Sequence, residues 1–177
     1  MRYSYGIILL HWTTTALMFA LAASGILYSY KIVGSNALIF HQWGGQILLV
    51  LVFIWIGLRL AFGVGPSNPD HVWWEKMLAA LVKITLYTLL VAYVITGYVT
   101  ASGLKSTELL FPINVAFARS DLGDLFMGAH FSLKWVLLAV LALHLLGTLK
   151  HSFIDRDNTF RNMWITCLLY TSPSPRD

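Results

Sequence analysis

Long apolar runs alternate with short polar breaks along this chain. Four runs reach the length of about 20 apolar residues that a helix needs to cross a bilayer. They cover residues 7–30, 38–62, 77–101 and 129–149. Glycine, proline and charged residues gather in the breaks, as is typical of turns and loops. The pattern therefore predicts an all-α integral membrane protein whose four transmembrane helices form a bundle.

Composition agrees with this pattern and excludes an ordinary soluble domain. Hydrophobic residues make up 58% of the 177 residues and charged residues 11%, whereas a globular chain is about half apolar and about a quarter charged. The net charge of +4 comes without a basic cluster interleaved with aromatic residues, so we expect no nucleic-acid binding. Membrane lipid is the expected surrounding of the chain, and the oligomeric state is not predicted.

The final residues, 167–177, differ in character from the rest of the chain. They resemble the translation of a sequencing-library adapter, so we expect one native domain over residues 1–165 and exclude the tail from fold reasoning. The one cysteine, Cys167, falls in this tail. We therefore expect neither disulfides nor cysteine-ligated iron–sulfur clusters.

Basic residues predict the orientation of the chain. Arg2 precedes the first apolar run, which lacks an evident cleavage site, so we expect a retained helix rather than a signal peptide. With the N-terminus inside, seven basic residues lie on the cytoplasmic side and four on the outer side. The inner residues are Arg2, Arg59, Lys76, Lys83, Lys150, Arg156 and Arg161, and the outer ones are Lys31, Lys105, Arg119 and Lys134. The positive-inside rule then places both termini in the cytoplasm of a bacterial inner membrane.

The histidines carry the candidate chemistry. Five of the six lie within or at the ends of predicted helices, where a polar side chain is costly and indicates a functional site. These five are His11, His41, His130, His144 and His151. The sixth, His71, lies in the polar linker after the second helix, where we expect it to be solvated.

Helix geometry arranges four of these histidines in two pairs at two depths. His41 and His130 open the second and fourth predicted helices at the same outer end, and His11 opens the first at the cytoplasmic end. His144 follows His130 by fourteen residues, about 21 Å along a helix and on nearly the same face. The expected pairs are His41 with His130 outside and His11 with His144 inside.

Two imidazoles from different helices at one depth match bis-histidine axial ligation of haem. Zinc needs three or four convergent ligands, and proton relays usually include Asp or Glu; the spans carry neither acids nor thiols at these depths. A single histidine could equally be an interfacial or hydrogen-bonded core residue. Four histidines matched in depth favour two haems b.

Neighbouring residues add weaker support. Gly25, Gly44 and Gly45 would let a flat macrocycle approach the backbone, although close helix packing explains glycine equally well. Arg59 lies five turns after His41 on the same face, where it would pair with a haem propionate or, as slightly favoured, anchor the helix at the interface.

His151 has two alternative roles. It follows His144 by seven residues, on nearly the same face and at the cytoplasmic end of the helix, where it would border a quinone pocket or a haem propionate. Equally, it would cap the helix end near Asp155 and Asp157. The residues alone leave both alternatives open.

The motifs resemble the bacterial cytochrome b561 family, and the resemblance covers nearly the whole predicted domain. The matching features are His11-Trp12, His41 with Arg59, Thr96-Gly97-Tyr98, His130, His144 and residues 150–159. The resemblance implies haem ligation by the four paired histidines. Relatives often have a histidine near the start of the third helix where Lys83 stands here, which leaves a contribution of that helix to a haem edge or quinone pocket open.

The resemblance also implies quinone as an exchange partner and, in one branch, oxidation of superoxide. On that branch Lys105 and Arg119 would attract the anion, although a plain solvated loop is the favoured interpretation of both. The alternative function is a haem-bearing membrane-anchor subunit that exchanges electrons with a periplasmic redox partner. A non-redox transporter is a distant third, because it leaves the matched histidines unexplained.

Overall fold

A computed structural model describes most of the chain. The described residues are 4–63, 71–104, 109–111, 113–157 and 159–164. Within them the regular structure is helical, and four helices are long and apolar enough to cross a membrane. The predicted all-α membrane architecture with four spans is therefore confirmed.

Five α-helices follow one another along the described chain. They are α1 (Tyr5–Ser29), α2 (Ser35–Phe62), α3 (Trp73–Leu104), the short α4 (Val115–Ala118) and α5 (Asp121–Phe153), and a 3₁₀ turn (Arg161–Met163) comes after them. The long helices α1, α2, α3 and α5 correspond to the four predicted spans. The predicted adapter segment, 167–177, and Arg2 lie outside the described residues.

The helix α5 begins at Asp121, well before the predicted start at residue 129. Ser120 caps it by accepting a hydrogen bond from the Gly123 amide at 3.4 Å, and Asp121 and Asp124 occupy the first turn, where carboxylates favour the positive end of the helix dipole. The apolar run located the membrane-spanning part of α5 but not this polar extension. The helix α3 likewise begins at Trp73, before residue 77, and carries Glu75 in its first turn.

The turn between α1 and α2 is tight. Lys31 adopts a left-handed conformation with φ 58°, and the amides of Lys31 and Ile32 donate to carbonyls in the last turns of α1 at 2.9 Å each. This closure satisfies helix-end carbonyls that would otherwise lack partners. It makes α1 and α2 an antiparallel hairpin.

Two helix pairs make up the bundle: α1 packs on α2, α3 packs on α5, and α2 contacts α3 to join them. The buried core is a small cluster of Leu21, Leu48, Val52 and Val94 from α1, α2 and α3. Many large apolar side chains on the long helices face outward, as expected of helices surrounded by lipid. The long helices thus leave a large apolar surface for the bilayer.

Candidate functional site

The outer histidine pair meets between α2 and α5. The ring centres of His41 and His130 lie 6.2 Å apart. With a metal–nitrogen distance of about 2 Å, two imidazoles that bind one metal ion from opposite sides have ring centres about 6 Å apart. The separation therefore fits a metal held between the two rings.

Both rings are oriented in the same way by the helix beside them. Nδ1 of His41 lies 2.9 Å from the Leu21 carbonyl oxygen of α1, and Nδ1 of His130 lies 3.2 Å from the Tyr93 carbonyl oxygen of α3. A neutral imidazole that donates its Nδ1–H to a carbonyl leaves Nε2 as the acceptor for a metal. This is the hydrogen bonding that an axial haem ligand needs.

Each of the two histidines also lies beside a hydroxyl residue that is followed in the sequence by a glycine. Ser24 Oγ lies 3.4 Å from His41 Nδ1, and Thr96 Oγ1 lies 3.5 Å from His130 Nδ1. Each hydroxyl also donates to the carbonyl that its histidine contacts. The hairpins α1–α2 and α3–α5 thus use one local arrangement, a hydroxyl residue followed by glycine, although the sequence shows no repeat.

The two glycines make room for the rings. A Cβ at Gly25 would lie 2.8 Å from His41 Cε1, and a Cβ at Gly97 would lie 2.7 Å from His130 Cε1. Gly44 instead faces Leu21, so there helix packing is the observed role. Gly45 lines the cavity described next.

The outer pair opens into a cavity of about 530 Å³ between α1, α2, α3 and α5. This volume lies within the range of about 300–1,000 Å³ that is typical of cofactor sites. Its lining is mainly apolar and includes both histidines and Lys134. The residues present therefore fit a large, flat, mostly apolar group whose metal the two histidines would bind.

Lys134 is a site residue that the sequence interpretation did not identify. Its Nζ lies 5.5 Å from the Phe131 ring centre and 5.3 Å from the Trp135 ring centre, close enough for cation–π attraction. The sequence could have indicated it, because Lys134 follows His130 by one helical turn and lies on the same face of the helix. It supplies the cavity with a positive charge that suits a carboxylate.

The inner pair lies among aromatic and basic residues. His11 is close enough to His144 and Arg59 for their charges to interact, and its ring centre is 6.2 Å from that of Trp55. The guanidinium of Arg59 lies 5.0 Å from the Trp55 ring centre. Lys83 is within electrostatic range of His144, so α3 faces this site too.

Thr14 provides a further observation on the inner site. It lies one turn after His11 on α1, and its hydroxyl is buried without a hydrogen-bond partner in the described chain. A buried hydroxyl without a partner points to a bound group or water that satisfies it. The inner site therefore has basic, aromatic and hydroxyl groups around its two histidines.

His71 is not solvated, and this expectation was wrong. Its side chain is 14% exposed, and Nε2 lies 2.7 Å from Asp157 Oδ2. Its ring stacks on that of His151 with centres 4.3 Å apart. These contacts are long-range, because His71 lies just before α3 whereas its two partners lie in the last turn of α5 and after it.

His151 contacts both acids that the capping alternative named. Its Nδ1 lies 2.9 Å from Asp155 Oδ2 and 3.1 Å from Asp157 Oδ2. Beside it, Lys150 Nζ lies 2.7 Å from both Glu75 Oε1 and Asp155 Oδ2. We call His71, His151 and Asp157 the His–Asp–His cluster.

Two side chains that line the cavity, Gln46 and Tyr98, also bind the backbone of the segment between α3 and α4. The Tyr98 hydroxyl donates to the Phe111 carbonyl at 2.8 Å and accepts from the Phe111 amide at 2.7 Å, and Gln46 Oε1 accepts from the Leu110 amide at 2.8 Å. The exposed Arg119 donates to the Gly103 carbonyl through Nε and Nη2. It thus caps α3 rather than standing freely in solvent, and Lys105 lies outside the described residues.

Comparison with known proteins agrees with this picture. A family model described as prokaryotic cytochrome b561 matches residues 2–165. The chain is also similar to cytochrome b561 homolog 2 of Escherichia coli (strain K12), with 29% identity over 170 residues that cover 90% of each chain.

Proposed function

The chain belongs to the prokaryotic cytochrome b561 family, and we propose that it holds two haems b, one between each pair of histidines. As a member of this family it is a multi-pass inner-membrane protein that binds haem b and transfers electrons. The proposed axial ligands are His41 with His130 in the outer site and His11 with His144 in the inner site. When bound, haem supplies reversible one-electron chemistry.

One observation carries the proposal most strongly. The ring centres of His41 and His130 lie 6.2 Å apart, and Nδ1 of each ring contacts a backbone carbonyl, which leaves Nε2 of each ring available to a metal. An ordinary core histidine needs one hydrogen bond, but it does not need a second histidine opposite with the same tautomer. Gly25 and Gly97 support the proposal as well, because they leave room for the imidazole rings that any larger residue would fill.

Basic residues are proposed to hold the haem carboxylates. Arg59 suits a propionate of the inner haem, since it lies within electrostatic range of His11 and is fixed against Trp55. Lys134 suits a propionate of the outer haem, because it lines that cavity. Each pairing would join a guanidinium or ammonium to a carboxylate away from bulk water, where charge-assisted hydrogen bonds are strong.

Quinone is the proposed exchange partner, with His151 at the end of α5 as a candidate contact for it or for an inner propionate. Superoxide is a second candidate electron donor, and Arg119 and Lys105 would attract it to the outer surface. A haem-bearing anchor subunit for a periplasmic redox partner is the competing assignment. Both termini are proposed to lie in the cytoplasm.

The haem count tests the core of this proposal. Pyridine haemochrome analysis of the purified protein should give two haems b per chain. His130→Ala should lower the count to about one, because the outer metal loses one of two axial ligands while the inner pair stays intact. A count of one in the wild type, or loss of both haems in the variant, would contradict the pairing.

The partner is tested on the same preparation. The haem absorbance is followed as quinol or superoxide is added to the oxidised protein, and again as quinone is added to the reduced protein. Reduction by either donor and reoxidation by quinone are expected. If neither donor reacts while two haems are present, the anchor-subunit assignment is favoured.

A further inference from the structure

A second group of metal-binding side chains lies at the end of the bundle where α3 begins and α5 ends. One nitrogen of His71, one nitrogen of His151 and one carboxylate oxygen of Asp157 all lie within 4.8 Å of one another. The three residues come from the linker before α3, the last turn of α5 and the segment after α5. This His–Asp–His cluster is separate from the four histidines of the haem sites.

The donor set has the chemistry of a transition-metal site. Two imidazoles and one carboxylate are the three protein ligands of many zinc sites that keep a fourth position for water. Zinc and similar borderline ions prefer imidazole nitrogen, whereas magnesium and calcium prefer oxygen alone. The cluster therefore suits a divalent ion of the zinc class.

The distances also suit such an ion after small movements. Asp157 Oδ2 lies 2.7 Å from His71 Nε2 and 3.1 Å from His151 Nδ1. Ligands about 2.0–2.1 Å from a tetrahedral zinc ion are about 3.3 Å apart, so the side chains must separate by a few tenths of an ångström. Both nitrogens already lie within 3.1 Å of the same carboxylate oxygen, so one ion could contact all three atoms.

The surroundings hold the three ligands in place. The Thr159 amide donates to Asp157 Oδ1 at 2.7 Å, which orients the carboxylate and leaves Oδ2 facing the two imidazoles. Lys150 joins Glu75 of α3 to Asp155 after α5, which fixes the two helix ends that carry the cluster. Orientation of ligands by such outer hydrogen bonds is typical of metal sites.

A plain ion-pair cluster is the main alternative interpretation. It explains the contact between His71 and Asp157, and it needs no metal. However, Nδ1 of His151 is buried and forms no hydrogen bond in the described chain, although carboxylate oxygens of Asp155 and Asp157 lie 2.9 Å and 3.1 Å away. A divalent ion would satisfy both imidazoles and the carboxylate at once.

We propose that His71, His151 and Asp157 bind one divalent transition-metal ion of the zinc class at this end of the bundle. The inference goes beyond the proposed electron transfer and does not depend on it. Because the ion would coordinate His151, it would also withdraw that side chain from a quinone or a propionate. Metal occupancy would thereby compete with exchange at that end.

The test is zinc binding to the haem-loaded protein, purified without a histidine tag. The protein is dialysed against zinc, bound metal is counted by mass spectrometry, and the zinc ligands are identified by X-ray absorption. One saturable zinc per chain with two imidazole ligands is expected. Absence of saturable zinc in protein with its full haem content would overturn the metal site while leaving the proposed function intact.

Variants separate coordination from charge. His71→Ala and Asp157→Asn should each weaken zinc binding at least about tenfold, since even loss of an outer hydrogen bond to a metal ligand has that effect. Asp121→Asn is the control for Asp157→Asn, because it removes the same charge at the opposite end of α5 from the cluster. Unchanged haem content shows that each variant is folded. Equal zinc affinity in wild type and His71→Ala, or equal weakening in Asp121→Asn, would contradict the site.

Discussion

At the scale of single residues, the outer site depends on two glycines as much as on two histidines. Gly25 and Gly97 each follow a hydroxyl residue, and each lies against the Cε1 side of an imidazole from the neighbouring helix. The sequence indicated Gly25 as a place where a flat macrocycle would approach the backbone. The equivalent role of Gly97 could not be predicted this way, because it depends on how α3 turns its face to α5.

Replacing either glycine should disturb the outer haem. In Gly25→Ala and Gly97→Ala the new Cβ would lie 2.8 Å and 2.7 Å from Cε1 of His41 and His130, closer than a methyl group and a ring carbon can approach. The ring must move away from its carbonyl partner, so haem content should fall from two towards one per chain in the haemochrome assay.

Gly57→Ala is the matched control for this prediction. It lies on α2, and a Cβ there would have nothing within 4 Å, while alanine favours a helix over glycine by about 1 kcal/mol. Haem content should stay at the wild-type level. Full haem content in Gly25→Ala and Gly97→Ala would show that the rings do not need this space.

At the scale of elements, apolar runs located the four spans and missed what polar residues add to them. The starts of α3 and α5 extend beyond the apolar runs through turns that carry acidic residues. The segment after α5 is held by ion pairs and by the contacts of Trp12 with Met163 and Trp164. His71 was misplaced for the same reason, since its partners lie at the other end of the sequence. Such long-range polar contacts leave no periodic signal in the sequence.

The segment after α5 should loosen in acid. Burial opposes ionisation of Asp157, but hydrogen bonds from His71 and Thr159 and the nearby His151 outweigh it and hold the pKa of that carboxyl well below its usual range. A depressed folded pKa means that the stabilisation is fully present above the unfolded value of about 4 and is lost as the pH falls through the folded value.

Hydrogen exchange measures this loosening. With a metal chelator present and rates corrected for their intrinsic pH dependence, protection of the Thr159 amide should be steady from pH 7 to 5 and fall below about pH 4. Asp157→Asn should show the low-pH exchange already at pH 7. The same pH dependence in variant and wild type would assign the protection to other contacts.

At the scale of the whole molecule, the sequence alone predicted the number of membrane-spanning helices, and it assigned the histidines to two depths. It could do so because a bilayer restricts the fold to helices of known length, so that position along a helix becomes depth. Which helix packs beside which was harder to predict from the sequence. The hairpins α1–α2 and α3–α5, which create the two equivalent histidine supports, emerge only from packing.

Orientation is the whole-molecule property on which the route of the electron depends. If both termini are cytoplasmic, His41 and His130 lie near the periplasm, and the His–Asp–His cluster lies near the cytoplasm. Basic residues support this assignment, with Lys150, Arg156 and Arg161 at the proposed inner end and Lys31 and Arg119 at the outer end. The positive-inside rule counts these side chains even where some are ion-paired.

Cysteine labelling tests that orientation directly. In a Cys167→Ser background, Gly34→Cys would stand in the exposed turn between α1 and α2, and Ser4→Cys would stand exposed just before α1. Gly34 has an extended backbone that any residue adopts. A membrane-impermeant maleimide should label Gly34→Cys in intact spheroplasts and Ser4→Cys only after the membrane is permeabilised, and both variants should keep the wild-type haem content. The reverse labelling would put the His41–His130 cavity on the cytoplasmic side and contradict the proposed location of both termini.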